Sequence, residues 1–487
     1  MATLRAIVGG ALAGLAPGEF GPLLLIPALS LLWSVADRSR LSALWGLVAV
    51  LVSHRWLLAL HPLTWMGVPE PLSLPIALMI WLVCGGCGAL LLALWSALAR
   101  RLRFRCSGAR ADLSTLLGVV TLSLVWGLAE VVLSSSPLFW IGVGGTLLPF
   151  DPAWAALGRW VGAGGLAALQ LLFSAWLWVL LKGPRPWRSA VFWALSLLAI
   201  HGIGAALLIN PPPGQGTLSL AAWQPVVPTR EKFSADRQQR LPAAVRRAID
   251  QAEALEVAAL VAPEGMLPST WPGAFPDQQL PLISGGFRWD KGQQRSSLLL
   301  INGEAPRARP LLDKHRLVPL GESSPPLPAG LTAGLSAVGG LQPGEASRLM
   351  QGFTPAGAAA ICYEISDGRA LADAVDSGAS WLLTIANLDP YPPLLQRQFL
   401  ALAQLRAIET GRDLLSVANT GPTATVGADG RVNLLVAPGR VGIARAELQL
   451  RDGATVYSRL GDVPLILLLA TALLGVVWQL GRPRIES

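Results

Sequence analysis

The chain has little charge, little lysine and little cysteine. Of its 487 residues only 14% are charged, against 52% hydrophobic, whereas a soluble globular chain carries roughly 25% charged residues. An ordinary soluble domain is therefore excluded. A mean hydropathy of +0.50 excludes a disordered chain as well. The four cysteines and four histidines form no ligand-spaced cluster, so neither a metal nor another cofactor is expected. Cys84 and Cys87 do make a C-x-x-C, but Gly85 and Gly86 separate them inside an apolar run, which reads as small-residue helix packing. The net charge of +8 is unevenly spread: residues 1–209 hold 13 Lys/Arg and 6 Asp/Glu, leaving +1 for the rest. The excess lies in short loops between apolar runs, which excludes a nucleic-acid surface and points to membrane topology.

Apolar stretches able to span ~30 Å of hydrocarbon fall at 6–16 with 20–36, 41–60, 72–99, 113–133, 154–181, 189–209 and 463–480. Pro17-Gly18 divides 6–36 into two helices, giving eight spans. No small-residue cleavage site follows an isolated apolar run, so no removable signal peptide is expected. Arg5, Arg38 and Arg40, the cluster Arg100, Arg101, Arg103, Arg105 and Arg110, then Lys182, Arg185, Arg188, Arg482 and Arg484 occupy every second connection. The alternate loops, Gly18–Gly21, His61–Pro71 and Ser134–Pro152, hold no Lys or Arg. Cytoplasmic loops keep positive charge. Both termini are thus expected inside, and the long segment 210–462 outside. This gives three parts: 1–212 with helices 1–7, an outer domain at 213–458, and 459–487 with helix 8 and its tail. Within the spans, His54, Arg55, Glu130 and Arg159 all lie toward the outer side. They read either as snorkelling or paired groups, or as a headgroup or substrate pocket.

From about residue 216 the pattern changes. Strands are expected at Leu218–Trp223, Val257–Ala262, Leu280–Phe287, Ser296–Asn302, Ala358–Tyr363, Ser380–Ala386, Leu414–Ala418 and Thr423–Val426. Helices are expected at Ser234–Leu255, Gly368–Ser377 and Pro393–Thr410. The alternation indicates one α/β domain, and the Pro/Gly-rich stretch 320–357 is long enough to be a lid or binding loop.

Cys362 is the only cysteine of this outer segment. It reads either as a small buried hydrophobe or as a nucleophile, since a strand-to-helix turn offers backbone N–H groups and a dipole that favour a thiolate and can hold an oxyanion. His315, the only histidine here, is one candidate partner. Glu264 closes an apolar run, an unusual place for a carboxylate. Lys314 stands out because the chain uses four Lys against 34 Arg, and a compact ammonium differs chemically from a guanidinium.

Three strings together, Pro263-Glu264, Asp313-Lys314-His315-Arg316-Leu317-Val318-Pro319-Leu320-Gly321-Glu322 and Ile361-Cys362-Tyr363-Glu364-Ile365, resemble the Glu-Lys-Cys motifs of the nitrilase superfamily. With the eight-helix frame, nearly the whole chain resembles the apolipoprotein N-acyltransferase family, the membrane-bound branch of that superfamily. The resemblance implies an α-β-β-α sandwich, with Cys362 as nucleophile, Glu264 as general base and Lys314 as oxyanion stabiliser. It makes Glu322, Tyr363, Glu364 and Asn387 supporting residues, and Trp126 with Glu130 is similar to a pair in the family's membrane part.

The family usually has Asp-x-Trp-Phe-Gly after the asparagine, whereas this chain reads Asn387-Leu388-Asp389-Pro390-Tyr391-Pro392-Pro393. A family Gly-Glu-Phe-Val-Pro appears as Gly321-Glu322-Ser323-Ser324-Pro325, and an expected tryptophan as Phe233. The departures fall in loops that, by resemblance, line the acyl pocket. Phe233 and Tyr391 therefore join Arg55, Glu130 and Arg159 as candidate substrate contacts. The implied partners are a phospholipid acyl donor, a diacylglyceryl-modified apolipoprotein acceptor and the bilayer of the bacterial inner membrane. A membrane-tethered amidase and a non-catalytic lipid-binding protein are the alternatives.

Overall fold

The computed structural model describes residues 1–66, 68–102, 113–136, 139, 141–182, 186–229, 231–232, 234–303, 307–319, 321–323, 340–389 and 391–480. Phe233 lies outside them, as do Arg103, Arg105, Arg110, Arg185, Arg482 and Arg484 of the basic loops, and Leu320, Ser324, Pro325 and Pro390 of the motif strings.

Among the described residues seven helices of twelve residues or more come first: α1 (Ala2–Leu15), α2 (Pro22–Trp33), α3 (Ser39–Ser53), α4 (Glu70–Arg101), α5 (Leu113–Ser134), α6 (Gly158–Lys182) and α7 (Pro186–Ile209). The sheet-forming part follows with β1 (Gly214–Gln224), α8 (Ala235–Glu253), β2 (Leu260–Leu267), β3 (Leu282–Asp290), β4 (Gln293–Ile301), β5 (Arg309–Asp313) and β6 (Gly357–Ile361). It continues with α9 (Gly368–Asp376), β7 (Trp381–Ala386), α10 (Pro393–Thr410), β8 (Leu414–Ala418), β9 (Thr423–Val426), β10 (Val432–Val436) and β11 (Gly442–Arg451). Last come α11 (Val456–Leu460) and α12 (Val463–Leu480). Among the described residues, α4 to α7 are long and apolar enough to cross a membrane, and α1, α2, α3 and α12 are shorter apolar helices. Leu78, Leu82 and Leu90 of α4 and Phe192, Leu195 and Leu198 of α7 are exposed. Such faces are covered by lipid in a membrane protein and would be a liability in water.

The expected 41–60 helix is instead α3 followed by a tighter 3-10 segment, Arg55–Leu60. The run 154–181 begins as a separate turn, Pro152–Ala155, before α6. Gly162 adopts φ 62° inside α6, and a Cβ there would lie 2.2 Å from the ring of Tyr457; only glycine allows both the kink and the contact. Around the C-x-x-C, Gly85 and Gly88 let α4 close on Leu51 and Val50 of α3.

Two sheets form. One has the order β11-β1-β2-β3-β4-β5 and the other β10-β9-β8-β7-β6. Leu218, Leu220, Val261, Ile283 and Leu298 of the first share one buried core with Ala359, Ile361, Leu383 and Val417 of the second, so the sheets pack face to face. Ser234 caps α8 by accepting the Arg237 N–H, and Leu241, Val245 and Ile249 of this helix pack on the outer face of the first sheet. Leu371 of α9 and Leu395, Leu402 and Ala403 of α10 cover the second sheet. The layers run helix, sheet, sheet, helix, as expected. Three strands were not legible: β5, β10 and β11. The first two are five residues long, and β10 and β11 lie at sheet edges with many residues exposed, where apolar patterning weakens.

The second helical layer also meets the membrane-type helices. Ala401, Leu405 and Ile408 on the far side of α10 pack with Leu147, Trp154, Leu157 and Leu166. Helix α10 is therefore covered on both faces, which is why it shows no clean amphipathic stripe.

Candidate active site

The site forms where β2, β6 and β7 end and the segment after β5 crosses them. Strand β2 does not stop at Ala262, as the sequence indicated; it continues to Leu267 through a register shift after Ala262. This bulge, with Gly265 at φ 62°, turns Glu264 into the site, a known use of bulges. Gly285 of β3 makes room for it, since a Cβ there would lie 2.5 Å from the Glu264 Cα.

Cys362 follows β6 at φ 58°, a left-handed conformation that costs a non-glycine residue about 1–3 kcal/mol. It opens the 3-10 turn Cys362–Ser366. Glu364 fixes this turn: its carboxylate accepts the Ile361 N–H at 2.9 Å, the His315 and Arg316 N–H groups at 2.8 and 3.0 Å, and the Arg348 guanidinium at 3.0 Å. One buried carboxylate thus ties the cysteine turn to the segment that carries Lys314. Tyr363 makes a second tie, donating its hydroxyl to the Leu317 carbonyl at 2.6 Å.

Lys314 is fully buried. Its ammonium donates to Glu264 Oε1 at 2.7 Å and Glu322 Oε1 at 2.8 Å, and the other Glu322 oxygen accepts the Val318 N–H at 2.9 Å. Glu264 Oε2 accepts the Asn387 backbone N–H at 3.1 Å, and the Glu264 carboxylate lies close enough to the Cys362 thiol for each to act on the other's charge. Burial is the largest single influence and would raise the Glu264 carboxyl, but the Lys314 ammonium, with the Lys232 charge adding to it, holds the group below the usual carboxylate range. Burial raises Glu322, with Lys314 only partly offsetting it and the Glu264 charge adding to the rise. Burial would lower Lys314, yet its two carboxylate partners hold it well above the ordinary lysine range.

Burial pushes the Cys362 thiol well up, and the Glu264 charge adds to this. This corrects the expectation of a resting thiolate: the turn is five residues long, and desolvation beside a carboxylate outweighs any dipole. The resting pair is a thiol next to an ionised carboxylate, so sulfur becomes nucleophilic only as its proton moves. His315 is corrected too. Its ring is exposed and pairs with the Gly344 carbonyl at 2.8 Å, so the thiol's partner is Glu264.

The sequence missed Lys232. Its ammonium donates to the Glu264 carbonyl at 2.8 Å and to Asn387 Oδ1 at 3.4 Å. The scarcity of lysine that singled out Lys314 applied equally to Lys232, but no motif string accompanied it. Thr229 and Asp389 were missed as well; they bind each other through the Thr229 N–H and hydroxyl, and Asn387 Nδ2 donates to Thr229 Oγ1 at 2.8 Å.

The cluster abuts helix ends. Ser366 donates to the Ser134 carbonyl at 3.1 Å, and Arg316 to that of Ser136. Tyr391, half-buried against the core, meets Trp56 edge-on at 5.7 Å, and Phe139 stacks on Phe399 at 5.0 Å. The remaining candidates lie outside the cluster and bind protein. Arg55 pairs with Glu19 at 2.6 Å. Glu130 accepts from Trp126, Val143 and Gly144. Buried Arg159 donates to the carbonyls of Ile408, Asn210, Ala428 and Leu207.

No protein-family model matches the chain. Among solved structures it is similar to Saccharomyces cerevisiae Nit3, of the nitrilase superfamily, at 15% identity and a TM-score of 0.36, over 52% of this chain and 96% of that one. An amidase from Nesterenkonia sp. gives 16% identity and the same score over 51% and 95%. Whole-length similarity is far higher to the apolipoprotein N-acyltransferase of Parasynechococcus marenigrum, 62% identical over 94% of this chain and 97% of that protein. The protein of that name in Prochlorococcus marinus strain MIT 9313 is 53% identical over 100% and 97%. By these whole-length identities the chain belongs to the apolipoprotein N-acyltransferase family.

Proposed function

We propose that this protein moves a fatty acyl chain from a membrane phospholipid to the N-terminal amine of a diacylglyceryl-cysteine lipoprotein, through a thioester on Cys362. The observation that carries the reading is the buried Glu264, Lys314 and Cys362 cluster set against the ends of apolar helices. Glu264 accepts the thiol proton as sulfur attacks the ester carbonyl, and Lys314 stabilises the charge that builds on the carbonyl oxygen. The C–O bond breaks, Glu264 returns the proton to the departing lysophospholipid, and the thioester remains. The acceptor amine then attacks the thioester, an amide forms, the C–S bond breaks, and the amine proton passes through Glu264 to the sulfur. Splitting the transfer in two lowers each barrier. The burial of Glu264, Lys314 and Cys362 serves to keep water from the thioester.

Glu322, Tyr363, Glu364 and Asn387 hold this geometry, and Tyr391 lines the acyl path, a role that for Phe233 rests on the family resemblance alone. The scheme places eight spans in a bacterial inner membrane, with both termini cytoplasmic and residues 213–458 on the outer side; the arginine-bearing connections support that orientation.

The test is purified protein in detergent with phospholipid labelled in its acyl chain, read by intact-protein mass. We expect one acyl group on Cys362, transfer to a diacylglyceryl peptide, and none in C362A. Hydrolysis of soluble amides with no acylated protein would favour a membrane-tethered amidase. Unchanged lipoprotein acylation by C362A in cells without another copy would favour a non-catalytic lipid-binding protein.

A further inference from the structure

Two carboxylates, Glu264 and Glu322, share the single ammonium of Lys314. A second cation reaches the backbone of the base rather than its carboxylate. Lys232 sits in the turn after β1, and that turn is stapled to the loop after β7 by the hydrogen bonds between Thr229 and Asp389 and by Asn387 Nδ2 on Thr229 Oγ1. The stapling delivers the Lys232 ammonium to the backbone oxygen of Glu264 and the amide oxygen of Asn387. The same Asn387 donates its own N–H to Glu264 Oε2. Lys232 therefore grips the bulge of β2 from behind and the residue that orients the base from the side.

We propose that Lys232 is a positioning residue of the acyl-transfer site: its ammonium fixes the Glu264 bulge against Asn387 and supplies the second positive charge under which the Cys362 proton can move to Glu264. The inference rests on the acyl-transfer reading above and deepens it. When the thiol proton passes to Glu264, negative charge leaves the carboxylate beside Lys314 and settles first on sulfur and then on the carbonyl oxygen. The Lys232 charge, which also acts on Cys362, stabilises the Glu264 carboxylate before transfer, so it speeds the step by bearing more strongly on the charge that reaches sulfur and the carbonyl oxygen, as preorganised charge does without reorganising. A neutral donor would satisfy the two oxygens equally well but could not do this. The residue type agrees, because the chain uses Arg almost wherever a generic cation suffices, and the two cations that donate to Glu264 are both lysines.

The groups facing Lys232 are Glu264 on β2, Cys362 after β6 and Asp389 after β7; Lys314, Glu322 and Tyr391 complete the titratable set of the cluster. Burial lowers the Lys232 ammonium to about 8, with Glu264, Asp389 and Cys362 only partly opposing it. Lys232 is thus charged at neutral pH and loses its charge as pH rises through about 8. Thioester formation should fall over that rise. Titration of Cys362 itself would act in the opposite sense, giving more thiolate at higher pH, so a falling limb reports Lys232.

The experiment is single-turnover thioester formation on full-length protein with acyl-labelled phosphatidylglycerol vesicles, from pH 6 to about 9.5, in wild type, K232Q and K232R. This half-reaction omits the acceptor amine and its own titration. The expected result is a wild-type limb falling near pH 8, and a K232Q rate at pH 7 lower by about 10²-fold with that limb gone. K232R, charged throughout, should move the limb to higher pH. A wild-type rate that does not fall between pH 7 and 9.5 overturns the proposal without recourse to any variant. So does K232Q at wild-type rate, or K232Q slowed but with the same limb, which would make Lys232 merely structural. A wild-type protein that forms no acyl-Cys362 overturns instead the acyl-transfer reading, and the two failures are distinct.

Discussion

At the scale of single residues, the site is organised by how one ammonium is divided. Lys314 donates to both Glu264 and Glu322, and the two carboxylates emerge with opposite shifts, Glu264 held down and Glu322 pushed up. Glu322 therefore tempers the hold of Lys314 on Glu264 and keeps it basic enough to receive a proton. Replacing Glu322 by Gln keeps the shape and an acceptor for Lys314 while removing the charge. Glu264 then loses a repelling neighbour and is drawn more fully to Lys314, so its proton affinity falls further. E322Q should form the Cys362 thioester about 10–100-fold more slowly, the lower end of a general-base contribution. The acid limb of its pH–rate profile should also lie at lower pH than in wild type. A slowed variant with an unmoved acid limb would show that Glu322 only packs. Glu264, Lys314 and Cys362 were legible in the sequence because short, specific strings surround them. Lys232 was not, since it has no such string, and the protonated thiol was not, since its cause is burial and a partner 98 positions away.

At the scale of elements, the decisive feature is the bulge in β2. The apolar run told where Leu260–Ala262 pairs, but the pleat alternates strictly, and a regular continuation would carry Glu264 out of its present geometry. The register shift and Gly265 re-aim it, and Gly285 on the next strand gives the bulge its space. G285A places a methyl group 2.5 Å from the Glu264 Cα, so backbone must move, and the carboxylate moves with it. A displacement near ~1 Å can cost about 10²-fold in rate. We expect G285A to lose about that factor in thioester formation while keeping a cooperative thermal transition in detergent. Wild-type activity in G285A would mean that the bulge tolerates displacement. Most elements flanking the site were legible, α10 to the residue, because glycine, proline and apolar runs punctuate them. The bulge was not, because its cause is a close approach between two strands rather than anything local in either.

At the scale of the whole molecule, what matters is how the sandwich is seated on the helices. Eight apolar runs and their basic connections were legible as a pattern along the chain. The seating was not, because it is made by residues far apart in sequence. Helix α10 carries much of it: Gln398 donates to the Pro17 carbonyl at 3.2 Å and Arg397 to that of Gly18 at 3.1 Å, while Ala401, Leu405 and Ile408 meet Trp154 and Leu157. Arg159 closes the contact. Buried at 4% exposure, it gives hydrogen bonds to carbonyls at the end of α7, in α10 and after β9, three segments that sequence distance keeps apart. Its position near the start of α6 made it a candidate headgroup contact, and the two roles separate cleanly. If Arg159 seats the domain, R159A takes a charged donor from the carbonyls of buried Ile408 and Ala428 and from those of Leu207 and Asn210 at the rim, and hydrogen bonds to a charged group are worth about 1.5–3 kcal/mol each. Thermal denaturation in detergent should then show a loss of about 3 kcal/mol or more, with the apparent KM for phospholipid little changed in the folded fraction. If instead it binds the donor's headgroup, R159A should raise that KM several-fold and leave the transition where it is. The first outcome is expected, because every described donor contact of this guanidinium already ends on a backbone oxygen of the protein.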